Sequence, residues 1–186
     1  MSWMPPKDLE MLVDLCDFQK YKNKDIILES GDKRKMAFLV LKGVVRGYEV
    51  DHTGEEKTIL LRSHGIFVGD ADGLFGDIPQ KLTIESVGSA AVLMFSFEEF
   101  ESLALEHESI LKLYLNSLKE AILRLTYRVQ SMITLSNEDR YLDLLEKNPA
   151  FLKDTYDKYV ANFLGITPVS LSRIKKRLRL DSVNIS

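Results

Sequence analysis

The sequence predicts an α+β protein: an antiparallel β-roll, one long helix, and a C-terminal helical segment ending in a helix-turn-helix. Three observations carry that prediction. Short β-branched and apolar runs between tight-turn residues fill the first half, an apolar repeat of 3.5 residues runs through 109–135, and two short helical patterns meet at a glycine within 156–178. The expected units are 1–108 for the roll, 109–135 for the long helix and 136–186 for the helix-turn-helix. A chain of 186 residues, 45% hydrophobic and 28% charged, is long enough for a sizeable core and neither disordered nor fibrous in composition.

The first unit opens with a short helix near Pro6–Cys16. Strands are then expected at Asp25–Glu29, Met36–Leu41, Val44–Val50, Lys57–Leu61, Lys81–Val87 and Ala90–Phe95. Turn residues stand between them, at Ser30-Gly31-Asp32, Lys42-Gly43, Asp51-His52-Thr53-Gly54, His64-Gly65 and Val87-Gly88-Ser89. Strands at roughly ten-residue spacing with no helix between them argue for an antiparallel roll and against a parallel βαβ sheet.

Ser96-Phe97-Glu98-Glu99 has the form of a capping box, so a helix is expected to about Glu106. The long helix follows. Its positions Leu111, Leu115, Leu118, Ile122, Leu125, Val129 and Met132 alternate by four and three, the seam of a parallel two-helix coiled coil. Ile110, Leu113, Tyr114 and Ala121 widen the stripe, as on a helix packed on two sides. A homodimer joined along this seam is the expectation.

Ser136-Asn137-Glu138-Asp139 caps the next helix, which Asn148-Pro149 ends. In the stretch that follows, Val160, Ala161, Phe163 and Leu164 form an apolar face, and Gly165 stands where a helix end turns left-handed. Ile166 fills the turn, Thr167 caps the second helix, and Pro168 takes its first position, where no N–H is needed. Leu171, Ile174 and Leu178 turn inward, whereas Val169, Ser170, Ser172, Arg173, Lys175, Lys176 and Arg177 face outward. A short, capped, basic second helix after a glycine corner is the shape that enters the major groove of double-stranded DNA.

Charge follows the same division. Residues 1–135 hold 16 Lys/Arg against 21 Asp/Glu, residues 136–186 hold nine against seven, and 165–180 holds five cations and no carboxylate. A local basic block on an acidic chain points one face at a polyanion. The single Cys16 leaves no internal disulfide and no cysteine-rich metal site, and fits a reducing cytoplasm. His52, His64 and His107 lack metal-ligand spacing, and the two that fall in turns read as surface residues. The longest uncharged apolar run, Val87–Phe97, is far short of a membrane span, which needs about 20 residues. No basic-then-apolar leader pattern opens the chain. A phosphate-cradling glycine loop, a His-Glu-x-x-His and a nucleophile elbow are all missing, so no enzyme is expected.

The run YVANFLGITPVSLSRIKKRL resembles the helix-turn-helix of the bacterial Crp/Fnr regulators (cyclic-AMP receptor protein and fumarate–nitrate regulator). The order of roll, long helix and C-terminal winged helix is similar too, from about Phe18 to Leu178. The resemblance implies a cyclic-nucleotide-binding-like jelly roll, a dimerisation helix, a cytoplasmic transcription regulator, and double-stranded DNA, a second copy and RNA polymerase as partners. It implies base contacts from the start of the second helix, in a pattern near Glu-x-x-Ser-Arg. Here Ser172 and Arg173 match that pattern and Val169 departs from it. An Arg donating twice to guanine O6 and N7 contributes about 1–3 kcal/mol of discrimination; Val169 offers only an apolar contact to a thymine methyl. Lys175, Lys176 and Arg177 are expected on phosphates or facing solvent.

The resemblance also places a phosphate cassette in the roll, from Gly-Glu to Arg-Ser about a dozen residues on. In this chain the first position reads Gly69-Asp70, one methylene short, and the second reads Gln80-Lys81-Leu82-Thr83, with neither arginine nor serine. Lys81 offers a point charge in place of a planar two-point fork. No cofactor is expected, and Gly69, Asp70, Gln80 and Lys81 are expected to form a pocket degenerate for cyclic nucleotides. After Leu178 only eight residues follow, which implies a reduced wing. The alternative reading is a ligand-sensing or protein-interaction module whose helix-turn-helix does not bind DNA.

Overall fold

Two long strands, β3 (Met36–Val50) and β6 (Thr83–Ser96), pair antiparallel along most of their length and form the spine of the roll. In the computed structural model the described residues are 3–65, 67–149, 151 and 155–183, with 179–183 described by backbone alone. The free edge of β6 takes β1 (Asp17–Tyr21) against one half and β2 (Ile26–Leu28) against the other. That of β3 takes β4 (Glu56–Arg62) and the two-residue β5 (Phe67–Val68) in the same way. All these pairings are antiparallel, as the turn-separated runs predict.

The expected turns at Lys42-Gly43 and Val87-Gly88-Ser89 do not separate strands, which corrects the sequence reading: each lies inside one continuous strand. Lys42 faces Ala91 and Val44 faces Val87, so a single residue of β3 opposes three of β6. Gly43 (φ +85°) and Gly88 (φ +72°) supply the left-handed backbone that this double bulge needs. A Cβ on Gly43 would collide with the Ser89 carbonyl oxygen. The two strands bend together where sequence punctuation alone reads as a chain reversal. Strands β1 and β5 and the short α2 (Ala71–Phe75) fall where the sequence reading placed no element.

Helix α1 (Pro6–Asp14) lies before the roll, and α3 (Phe97–Glu106) begins at the expected cap, the Ser96 hydroxyl accepting from the Glu99 amide at 3.4 Å. Helix α4 (Glu108–Thr134) is the long one. Three apolar cores result. Phe38, Val40, Val45, Leu60, Ile84 and Val92 fill the roll. Phe95, Phe97, Phe100 and Ile110 join α3 to the base of α4, where Phe97 and Phe100 meet Tyr114 edge-on at 5.8 and 5.6 Å. The third core unites Val44, Leu61 and Val87 on the outside of the roll with Leu144, Tyr159, Val160, Leu171 and Ile174 of the C-terminal helices.

Beyond its base, α4 leaves the body of the chain. Leu111 and Leu118 are half-buried, whereas Leu115, Ile122, Leu125, Val129 and Met132 are exposed, Ile122 by 62%. Ala121, expected to pack, is exposed as well. The helix is therefore covered on its first turns, and farther along the end of the exposed Met132 side chain lies close to Gly165.

Candidate nucleic-acid interface

Helix α5 (Asn137–Lys147) starts at Ser136, whose hydroxyl accepts from the Asp139 amide at 3.2 Å. Helices α6 (Asp157–Phe163) and α7 (Pro168–Val183) then make the helix-turn-helix. The corner between them is a Schellman motif: the Gly165 amide bonds the Asn162 carbonyl and the Ile166 amide bonds the Ala161 carbonyl, each at 3.0 Å. Gly165 has φ +71°, the left-handed conformation that the sequence assigns to it. Ile166 packs on the C-terminal core, and the Thr167 hydroxyl accepts from the Ser170 amide at 3.1 Å. Pro168 is the first residue of α7.

Leu171 and Ile174 anchor α7 inward, and the opposite side stands open. Thr167, Val169, Ser172, Arg173, Lys176 and Arg177 are exposed; Ser170 and Lys175 are half-buried. The cations are not equivalent. Lys175 pairs with Asp157 on α6 and Arg177 pairs with Glu138 on α5. Among the described residues, Arg173 and Lys176 have no carboxylate within ion-pair distance. The Thr167 and Ser170 hydroxyls lie 3.0 Å apart, so the polar start of α7 is already internally bonded. Shallow clefts flank the helix, one lined by Ser136, Asn137, Arg173 and Arg177, the other by Lys57, Asn162, Thr167 and Ser170.

Helix α6 is fixed to the roll by side chains that sequence reasoning missed. The Asn162 amide group spans the backbone of β4, its oxygen accepting from the Thr58 amide and its nitrogen donating to the Glu56 carbonyl at 3.2 Å. Asn23 donates to the Tyr156 hydroxyl at 3.1 Å. Between the two layers Arg46, 2% exposed, pairs with Glu85 at 3.0 Å and Glu56 at 2.6 Å and donates to Thr58 at 2.9 Å. Its guanidinium also lies 4.0 Å from the Tyr159 ring and 4.4 Å from that of Tyr48. Burial, and then the charge of Glu85, push the Tyr159 hydroxyl up to about 12. The signal was an arginine inside the apolar run Val44–Tyr48, where alternation places it on the same face as Val44.

In the roll the residues at the expected phosphate cassette are brought together, and they bond one another. Asp70, 4% exposed, caps α2: its carboxylate accepts from the Asp72 amide at 3.3 Å, the Leu82 amide at 3.1 Å and the Lys81 amide. The Lys81 amine pairs with Asp72 at 3.0 Å. Gln80 is buried and donates to the Arg34 carbonyl at 3.0 Å, while its own side-chain oxygen has no partner. Gly69 and Gly73 are closely covered, by Leu74 and Gln80 respectively. Asp70 thus ties the two ends of the cassette together instead of presenting a free carboxylate.

Among the described residues no group of three or more His, Cys, Asp or Glu could hold a metal, and no helix is long and apolar enough to cross a membrane.

Comparison with known proteins agrees with this architecture. Residues 18–107 match the family model described as cyclic nucleotide-binding domain. Over 104 residues the chain is 27% identical to the cAMP-activated global transcriptional regulator CRP of Pasteurella multocida, a match that covers 55% of this chain and 49% of that protein. Over 182 residues it is 24% identical to the probable transcriptional regulator flp of Lacticaseibacillus casei, covering 89% of this chain and 78% of the relative. The chain thus spans about half the length of the first of these relatives. Among solved structures, FixK2 of Bradyrhizobium japonicum superposes with a TM-score of 0.77 at 14% identity, covering 90% of this chain and 86% of that one. The c-di-GMP responsive global regulator CLP of Xanthomonas campestris does so with 0.73 at 18%, covering 96% and 93%. Both share the fold. The chain is thus similar to regulators of the Crp/Fnr type, through a cyclic nucleotide-binding domain over 18–107 and a shared fold beyond it.

Proposed function

We propose that this chain is a cytoplasmic, homodimeric, DNA-binding transcription regulator that reads an imperfect palindrome. One observation carries the reading: a Schellman corner and a threonine cap hold α7 with Arg173 and Lys176 exposed and without carboxylate partners. In the dimer, the seam Leu111, Leu115, Leu118, Ile122, Leu125, Val129 and Met132 pairs with its copy. Two α7 helices would then sit about one DNA turn apart, ~34 Å. Arg173 reads guanine; Val169 touches a base edge through apolar contact; Ser170, Ser172 and Thr167 serve backbone or base contacts. Lys176 binds phosphate, as do Lys175 and Arg177 once Asp157 and Glu138 release them. RNA polymerase is the further partner, and the division at 108 and 135 marks sensor, coupling helix and reader. The wing expected to be reduced falls partly outside the described residues, from 184 on.

The carboxylate of Asp70, engaged by three amides, supports a pocket degenerate for cyclic nucleotides, with Gly69, Gln80 and Lys81 as cassette remnants. The names of the relatives support transcription regulation over an enzymatic role. The ion pairs on Lys175 and Arg177 favour the second reading, a module whose helix-turn-helix is held away from DNA. A band-shift selection from random palindromic duplexes tests the first reading against the second. Enrichment of a two-fold operator, lost with Arg173→Ala, supports the regulator; binding that is equally weak for wild type and variant at low salt supports the module.

A further inference from the structure

The end of α6 is gripped from two sides at consecutive residues. The last carbonyls of a helix have no partner within it. At this corner the Schellman bonds take the carbonyls of Ala161 and Asn162, and the Arg128 guanidinium of α4 donates to the Phe163 carbonyl at 3.0 Å. The same guanidinium lies 4.0 Å from the Phe163 ring, so one planar group meets both the backbone and the side chain of that residue. One position earlier, the Asn162 side chain holds the backbone of β4. A shift of α4 against β4 therefore strains one of these two attachments.

Arg128 stands alone on its stretch of the long helix. From Lys119 to Gln130 every residue of α4 is exposed except Arg128, which is half-buried. Its neighbour Tyr127, about 100° round the helix, reaches α5 instead. The Tyr127 hydroxyl donates to Asp143, and its ring lies 3.6 Å from the Lys147 amine. One turn beyond Arg128, the flexible end of Met132 comes near Gly165. Of these contacts, the one from Arg128 is a directional bond from a cation to the C-terminus of the helix that leads into the corner. The helix dipole favours a positive charge at that end.

We propose that Arg128 is the positioning residue that fixes α6 and α7 on the long helix, and so sets the half-site spacing that a dimer accepts. This rests on the dimeric reader proposed above. Arg128 acts through Phe163 and is assigned no contact with DNA. In a two-fold dimer any change in the orientation of α7 occurs in both protomers, so it alters the separation of the two helices twice over. Each base pair added between half-sites moves one from the other by about 3.4 Å and roughly a tenth of a turn. A reader held firmly accepts one spacing, and a loosened reader accepts several.

The test measures the affinity of full-length protein for a selected palindromic duplex and for copies with one or two base pairs added or removed at its centre, by fluorescence anisotropy. Wild type should bind the selected spacing at least tenfold better than any other. In Arg128→Leu that selectivity should fall below threefold, while discrimination against a replaced half-site guanine stays at the wild-type level. Arg128→Lys keeps a donor for the carbonyl but no planar face for the ring, and should fall between the two. Asn162→Ala frees α6 from the roll alone and should keep wild-type selectivity. So should Lys33→Gln, which removes an exposed cation elsewhere. Wild-type selectivity in Arg128→Leu overturns the proposal. Selectivity lost to the same extent in Asn162→Ala overturns it too, because control of spacing then lies with the roll. Spacing and base preference lost together overturn it in favour of a general loosening. If thermal melting shows that Arg128→Leu does not fold, Arg128→Lys decides: reduced selectivity with base preference kept supports the proposal, and full selectivity overturns it. The two readings fail separately. A wild type that binds paired half-sites equally at every spacing ends this inference and leaves the regulator standing, whereas one that binds no paired half-sites ends both.

Discussion

Arg46 shows how one buried charge joins two layers of this molecule. Its Nη1 pairs with Glu85 and Glu56, its Nε donates to Thr58, and its guanidinium lies against the Tyr48 and Tyr159 rings. Arg46→Leu strands Glu85 in a buried site, and removing one member of such a pair costs ~3–5 kcal/mol. Arg46→Leu combined with Glu85→Leu should recover most of that loss in denaturant titration; a double variant as unstable as the single one contradicts the pairing. Tyr159 adds a pH signature. Its hydroxyl is raised to about 12, so its contribution to stability is complete below the ordinary tyrosine value near 10 and is lost as pH rises through 12. Melting curves of wild type and Tyr159→Phe should therefore approach each other between about pH 10 and 12, and curves that stay parallel there contradict the buried placement. The arginine was visible in the sequence as a charge inside an apolar strand. Its partners were not, because Glu85 and Tyr159 stand 39 and 113 positions further along the chain: the pairing of β3 with β6 sets Glu85 opposite Arg46, and the docking of α6 on β4 brings Tyr159.

At the scale of elements, local chemistry was the part most legible in the sequence. Ser96, Ser136, Gly165 and Thr167 cap or turn helices where their residue types predict, because each acts on amides within three or four residues. Gly165→Ala tests the corner: a left-handed alanine costs about 1–2 kcal/mol, and the added methyl presses the flexible end of Met132 at 2.9 Å. A loss well under 0.5 kcal/mol would contradict the strained corner. Legibility fails where pairing is non-local. Gly43 and Gly88 read as turn residues singly, yet they lie opposite one another in one bent ribbon, and no single segment reveals that. The Gly69–Lys81 cassette was legible as a departure in composition, while the capping role of Asp70 emerged only with the amides of Lys81 and Leu82 beside it. In α4, Ile122 and Leu125 are exposed in the single chain, and the proposed seam would cover them with a copy. Ile122→Asp should give a monomer by sedimentation velocity with the roll still folded; a dimer that survives the substitution places the interface elsewhere.

The whole molecule joins the roll to the helix-turn-helix through two contacts: α4, and the seating of α6 on β4 by Asn162, Arg46 and Tyr159. This second contact means that the helix-turn-helix does not hang free in the chain described. Its cations are partly engaged as well, Lys175 by Asp157 and Arg177 by Glu138, so under the proposed function DNA has to compete with carboxylates for them. Lys176 has no such competitor among the described residues. Removing it from both protomers should therefore flatten the dependence of log affinity on log salt by about 2, without changing which base pairs are preferred. Arg173 acts in the other way. Its loss should weaken binding to the preferred operator and relax the base preference at one position of each half-site, at about 1–3 kcal/mol per contact.

The measurement that tests this account most directly is fluorescence anisotropy of full-length wild type and Arg173→Ala against a selected palindromic duplex and against the same duplex with one half-site guanine replaced. Wild type should distinguish the two duplexes at least fivefold, with two chains per duplex, and Arg173→Ala should not. Equal affinities of wild type for both duplexes, or a single chain bound per site, would contradict a paired reader built on α7.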